Sequence, residues 1–248
     1  MGRYFIEVFY KGTNYSGFQV QQNANTIQAE LEKAIFTIQN ERIELTGSSR
    51  TDAGVHALQN YFHFDYDGKL KKTLLYNLNA VLPHDIAVKR LLPVKPEFHC
   101  RFDAVSREYK YYITEQKNPF FRDTAYYFPY AVDYSSLQEA ALLIKEYDDF
   151  IAFSKKNTQV KSFTCRIDES KWLCENGCLV FNIKANRFLR GMVRALVGTM
   201  LKVGRNRLAL NDFRDLLESK EISKAKYLAP AHGLFLVAVS YPENYFAP

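Results

Sequence analysis

No stretch of the 248-residue sequence stays apolar for the ~20 residues that a bilayer-spanning helix needs, because charges interrupt every hydrophobic run. A membrane-spanning helix is therefore not expected. Met1-Gly2-Arg3 leads directly into a strand-like run with no secretory leader pattern, so a cytoplasmic address without membrane partners is the expectation. Cysteine is scarce: Cys100, Cys165, Cys174 and Cys178 have spacings that suit neither a disulfide framework nor a zinc site. Cys174 and Cys178 flank Glu175-Asn176-Gly177, and Asn-Gly is the strongest short hairpin signal, which predicts paired strands and free thiols. Low-complexity sequence is missing too, so no linker announces itself. The best candidate junction is the Pro-containing stretch from Leu92 to Asp103, which divides the chain into halves 1–103 and 104–248.

What is present is the mix of an ordinary globular chain, 47% hydrophobic and 24% charged, long enough to bury a substantial core without staples. Thirty-three Lys plus Arg against 27 Asp plus Glu give a net charge of +6, which attracts polyanions without requiring them. Aromatics make up 15% of residues, and basic plus aromatic surface is what stacking on unpaired bases uses, although most rings belong to the core.

Residues Tyr4, Ile6, Val8 and Tyr10 alternate with Phe5, Glu7 and Phe9, the period of a strand with one better-buried face. Asn25 or Thr26 then caps a helix bearing Ile27, Leu31, Ala34, Ile35 and Ile38. Strand-like runs at 43–45 and 61–64 bracket a loop. A second helix carrying Leu74, Leu75, Leu78, Val81 and Leu82 ends before Pro83, and a strand covers 86–91. Strand, helix, strand, strand, helix, strand is the order of a ferredoxin-like unit. The second half repeats the scheme with a strand over 107–113, a helix over about 135–147, the Asn-Gly hairpin, a long helix from Arg187 to about Val203, a shorter one near 212–219 and a last strand over 234–241. The expected fold class is α+β: two ferredoxin-like (RRM-like) halves whose antiparallel sheets form a central extended sheet, with a positively charged cleft between them.

In the loop 47–57, Gly47-Ser48-Ser49 and Ala53-Gly54 surround Arg50-Thr51-Asp52 with little side-chain bulk, which permits tight backbone geometry and close approach of a large ligand. Arg50 is near enough in sequence to favour the ionised form of Asp52 that a nucleophile or base requires. On composition alone a turn residue bonding its own backbone takes precedence. On the predicted 187–203 helix, Arg187, Arg190 and Arg194 recur at spacings of three and four, opposite a broad apolar side, with Gly191 and Gly198 near the stripe. A solvated charged face with incidental glycines explains this stripe as well as the close approach of a partner does. His56 has no second ligand at a standard spacing, so it reads as a hydrogen-bonded structural or RNA-contacting histidine and no metal site is expected.

Ser49-Arg50-Thr51-Asp52-Ala53-Gly54-Val55-His56-Ala57 resembles the signature of the tRNA pseudouridine synthase A family. So do Tyr10 to Gln21, with Phe18 where the family usually has Trp, and Asn79 to Val88, Phe98 to Ala104, Arg107 to Tyr111 and Met192 to Gly198. The resemblance spans essentially the whole chain and reverses the weighting at Asp52. It implies an isomerase that converts uridine to pseudouridine in the anticodon arm of tRNA, with no cofactor, metal or redox step. It further implies Asp52 as the nucleophile, Arg50 and Arg194 beside it, and Tyr109 stacking on an extruded base. Arg107, Arg187, Arg190 and His56 would contact RNA, and the chain would act as a homodimer. Two other readings stay open from the residues: a non-catalytic RRM-like RNA-binding module, and a hydrolase using Asp52 with His56.

Overall fold

The computed structural model describes residues 2–156, 160 and 162–246. These residues form an α+β fold of mostly antiparallel strands with five α-helices among them, arranged in two compact units. The first unit holds the residues up to Val105 together with those from Leu236 onward; the second holds Ser106–Phe235. The expected linear division after Asp103 puts the last segment with the second half, whereas the compact first unit includes the residues from Leu236 onward.

In the first unit, β1 (Gly2–Tyr10) lies between β3 (His56–Tyr66) and β4 (Ile86–Val94), antiparallel to both. The two-residue β2 (Thr46–Gly47) pairs with β3, so the short strand lies just after the predicted 43–45 run. Residues of β9 (Leu234–Ser240) also neighbour β3, and the Val239 amide donates to Gln59 Oε1 at 3.0 Å. Helix α1 (Ile27–Gln39) starts where Thr26 Oγ1 accepts the Ala29 N–H, and it ends at Asn40 with φ of 61°. Ile27, Leu31, Ala34 and Ile35 are its buried stripe, at the spacing read from the sequence. Helix α2 (Leu74–Val81) buries Leu74 and Leu78 and stops before Pro83.

The alternation in β1 predicts one buried face, but Phe5, Ile6, Glu7 and Val8 are all buried. The cause is the end of the chain. Tyr241, Tyr245 and Phe246 set their rings 5.9, 6.0 and 5.8 Å from Phe5, covering the face that carries Phe5 and Glu7. Inside this cover the Glu7 carboxylate accepts from Gln59 Nε2 at 3.0 Å and pairs with Arg90 and Lys89. Burial alone would raise its pKa. The Gln59 and Arg90 hydrogen bonds, with the two positive charges, outweigh that and hold it below the usual carboxylate range.

In the second unit, β8 (Cys178–Ala185) pairs antiparallel with β5 (Ser106–Thr114) on one side and β7 (Ile167–Glu175) on the other, and β6 (Tyr126–Tyr127) adds a short parallel pair to β5. The β7–β8 turn is the predicted hairpin, with Asn176 and Gly177 at φ of 52° and 76°, as a type I′ turn requires. All four cysteines are free thiols, with Cys174 exposed and the others buried. Helix α3 (Tyr134–Ile144) is capped by the Asp133 carboxylate on the Ser135 and Ser136 amides, and α5 (Leu210–Glu218) follows α4 (Met192–Gly204).

Helix α4 corrects one expectation. The predicted helix begins at Arg187, yet Gly191 adopts φ of 77° and the helix starts only at Met192. A left-handed residue cannot continue an α-helix, so Arg187 and Arg190 precede it in a loop and only Arg194 rides on it. The three arginines do not form a helical stripe. Gly198 does mark a close approach: a Cβ there would sit 2.4 Å from the Tyr227 carbonyl oxygen, because the 227–229 backbone crosses the helix at this point.

Candidate active site

The Asp52 loop joins β2 to β3 and is held by hydrogen bonds from three directions. The Phe18 amide donates to the Thr51 carbonyl at 3.2 Å, and the Gly54 amide to the Tyr15 carbonyl at 3.4 Å. The Val55 amide closes a turn on the Asp52 carbonyl at 3.2 Å, with Gly54 supplying φ of 78°. Asp52 does sit in a tight turn, as composition suggests, and this turn is clamped from outside, leaving its side chain only half-buried.

Beneath the loop lies a buried polar network. Tyr10 Oη and Thr51 Oγ1 are 2.9 Å apart, and Asn60 Nδ2 donates to Tyr10 Oη at 3.2 Å and to the Ser49 carbonyl at 2.8 Å. Burial pushes the Tyr10 hydroxyl up to about 12, against the pull of Thr51 and Asn60, so it stays neutral and available as a donor. The sequence reading missed Tyr10 and Asn60. An asparagine in the middle of an otherwise apolar strand is the available signal, since a buried amide there needs partners.

Aromatic and glycine packing fixes the loop's flanks. Phe18 is buried and stacks on Phe62 with ring centres 4.4 Å apart and planes 9° from parallel. Its edge fills the space beside Gly47, where a Cβ would lie 2.1 Å from the Phe18 ring. Phe18 thus supports the loop from below through ring packing. His56 is equally internal at 1% exposure, and its Nδ1 accepts the Gly12 amide at 3.0 Å. Of its two sequence readings, the hydrogen-bonded structural one describes this position.

Arg50 is exposed, and its guanidinium pKa is lowered first by partial burial and then by repulsion from Arg101. Arg101 was not a sequence candidate, yet it brings a second positive charge to the neighbourhood of the loop. Close by are His63, His99 and Cys100, whose donor atoms lie within 4.8 Å of one another. The protein itself engages them. His99 Nδ1 accepts the Arg101 and Phe102 amides at 3.1 and 3.3 Å, His63 Nδ1 lies 3.1 Å from Cys100 Sγ, and Cys100 Sγ donates to the Thr46 carbonyl at 3.1 Å. A metal on His99 would move the ring proton onto Nδ1, against two N–H donors, so the cluster is better suited to holding the chain than to holding an ion.

The second unit carries the remaining candidates. Tyr109 on β5 is 8% exposed and meets Phe188 edge-on at 5.1 Å. Arg107, two residues earlier on the same face, donates to the Asn186 carbonyl at 3.0 Å. Arg194 Nε donates to the Ala229 carbonyl at 2.7 Å, while the Arg194 carbonyl accepts the Ala229 amide at 3.0 Å. This reciprocal pair orients the guanidinium. Arg187 is half-buried and Arg190 exposed in the loop before α4.

A protein-family model described as tRNA pseudouridine synthase matches residues 8–103 and 147–242. The chain is 45% identical over 248 residues to tRNA pseudouridine synthase A of Parabacteroides distasonis, covering 99% of this chain and 98% of the relative. It is 46% identical over 251 residues to the enzyme of the same name from Porphyromonas gingivalis, covering 99% and 100%. With the Staphylococcus aureus (strain MRSA252) enzyme it shares 36% over 245 residues, covering 98% and 93%. A clamped aspartate loop, a strand tyrosine and a tethered helix arginine thus occur in a chain that matches these enzymes from end to end, and the chain belongs to the tRNA pseudouridine synthase family.

Proposed function

We infer that this protein isomerises uridine to pseudouridine in tRNA with the Asp52 carboxylate as nucleophile. The observation that carries the reading is the Asp52 turn: a half-buried carboxylate on a backbone fixed by the Phe18, Gly54 and Val55 amides, within a stretch resembling the family signature. The reaction breaks the N1–C1′ bond and joins C1′ to C5. N1 gains a proton, C5 gives one up, and the mass is unchanged. A carboxylate suits this because it adds to an electrophilic carbon and leaves again without redox chemistry. Holding its backbone rigid serves the chemistry by keeping the nucleophile aimed while the uracil turns.

Tyr109 is the proposed platform for the extruded base; its ring is oriented edge-on by Phe188 and offsets part of the few kcal/mol that flipping costs. Arg50 and Arg194, the latter oriented by Ala229, are proposed to serve the chemistry of Asp52, with Arg107, Arg187 and Arg190 serving the RNA backbone. In this reading the two units are ferredoxin-like halves, supported in the first by the order β4-β1-β3 with β2 on β3. The proposal extends to the anticodon arm as target, a homodimer as the working form and the cytoplasm as its location.

The deciding experiment compares wild type with Asp52→Ala on unmodified tRNA, reading isomerisation by mass spectrometry after carbodiimide labelling and binding by anisotropy. Isomerisation should vanish while binding persists. Residual isomerisation would remove Asp52 from its role, an unmodified wild-type product would leave an RNA-binding module, and free uracil or a cut strand would indicate a hydrolase.

A further inference from the structure

The turn from His99 to Asp103 is anchored on its inner side and bare on its outer side. Cys100 is fully buried, with its carbonyl accepting the Tyr241 hydroxyl at 2.6 Å and its Sγ donating to the Thr46 carbonyl at 3.1 Å. The Asp103 carboxylate accepts the His99 amide at 2.8 Å and the Tyr245 hydroxyl at 2.6 Å, and the Asp103 amide returns to the His99 carbonyl at 3.1 Å. His99 Nδ1 receives the Arg101 and Phe102 amides. Each residue of the turn thereby has a backbone group held in a hydrogen bond.

What this scaffold presents outward is Phe102, with 75% of its surface exposed. The Arg101 guanidinium lies 5.7 Å from its ring centre, and the His99 ring lies 4.2 Å away on a tilted plane. An exposed phenyl ring contributes little to folding, and a rigid turn that displays one beside an arginine is a surface prepared for a flat, polar, negatively charged partner. The Cys100–Thr46 bond ties the turn to β2, the strand that leads into the Asp52 loop, and Arg101 and Arg50 repel one another there. Two mutually repelling guanidinium groups are stabilised together by a phosphate.

We propose that Phe102 and Arg101 form a docking step for the tRNA beside the target nucleotide, with Phe102 stacking on an unpaired neighbouring base and Arg101 holding the adjoining phosphate. This rests on the reading of the substrate as tRNA. Stacking and guanidinium recognition are sequence-tolerant, so the pair would hold the strand on either side of an extruded uridine without dictating which bases flank it. His99 is then a positioning residue, fixing the two backbone amides that aim both side chains.

Phe102→Ala should weaken tRNA binding about tenfold, since base–aromatic stacking is worth roughly 1–3 kcal/mol. Phe102→Trp should retain affinity while Phe102→Leu does not, a split that loss of folding would not produce. Arg101→Ala should lower the slope of log affinity against log salt by about 0.7–0.9, the value of one phosphate contact. Phe102→Trp supplies a direct reporter, because Trp172, the chain's one other tryptophan, is buried: stacking should quench the emission of residue 102 when tRNA is added. Wild-type affinity in Phe102→Ala with unquenched Phe102→Trp emission would overturn the inference. An inactive wild type, or an active Asp52→Ala, would instead strike the functional reading on which it rests, so the two failures are distinguishable.

Discussion

Asn60 Nδ2 reaches the Ser49 carbonyl at 2.8 Å, tying the interior of β3 to the loop three residues before Asp52. The same nitrogen serves Tyr10 Oη, so one buried amide organises both the backbone and the hydroxyl pair under Thr51. Asn60→Leu leaves a buried carbonyl without its partner, which costs about 1–3 kcal/mol. Urea denaturation should show that loss, and on the proposal that Asp52 is the nucleophile the turnover number should fall further than tRNA affinity, because its loop loses a tether.

Gly12 tests the fit from the opposite side. A Cβ at this position would lie 2.0 Å from the Val55 carbonyl oxygen, a backbone atom that cannot swing aside. Gly12→Ala is expected to destabilise the protein by about 1–3 kcal/mol, the range for forced overpacking. It should also break the His56–Gly12 hydrogen bond, and a crystal structure or the His56 ring resonances would report the displacement.

Stability should fall in acid through His63. Burial, then the neighbouring His99 and Arg3, pushes its pKa down from 6.5 to about 4. A depressed folded-state pKa means that the unfolded chain binds the proton more readily between these values. The contribution is therefore complete above about pH 6.5 and is lost as pH falls toward 4, at no more than ~1.4 kcal/mol per pH unit. Glu7, also held low, adds its own loss below the ordinary carboxylate value of 4.5. Unfolding midpoints in urea from pH 7 to 4 should decline for wild type and decline less for His63→Asn.

Arg194→Lys separates charge from orientation. Lysine keeps the positive charge but has no Nε donor for the Ala229 carbonyl, so the fixed planar fork is replaced by a mobile point charge. The backbone bond from Ala229 remains, and stability should drop by only about 1 kcal/mol. Single-turnover isomerisation should slow by about 10² if Arg194 stabilises charge at the reacting centre; a rate equal to wild type would remove it from the site.

Features that depend on neighbours in sequence were legible. The Thr26 cap, the α1 stripe and the Asn176-Gly177 hairpin follow from local chemistry, and the motif around Asp52 pointed to the loop. The start of α4 was not, because the apolar spacing of Phe188, Leu189, Met192 and Val193 runs smoothly through Gly191, and nothing in residue type announces its positive φ. Double-sided burial of β1 was hidden for a different reason: the rings that cover Phe5 come from the far end of the chain. Arg101 escaped for the same reason, being near Arg50 in space and distant in sequence.

The C-terminal aromatic cover has a consequence for biosynthesis. Phe5, the Asp103 carboxylate and the Cys100 carbonyl all wait for Tyr241, Tyr245 or Phe246, so the unit bearing Asp52 has its first strand translated before the second unit and its last partners after it. Usually an N-terminal unit folds while the ribosome is still working on the next one. Here that order is broken: the unit bearing Asp52 reaches its final packing only after the continuous second unit, Ser106–Phe235, has been synthesised.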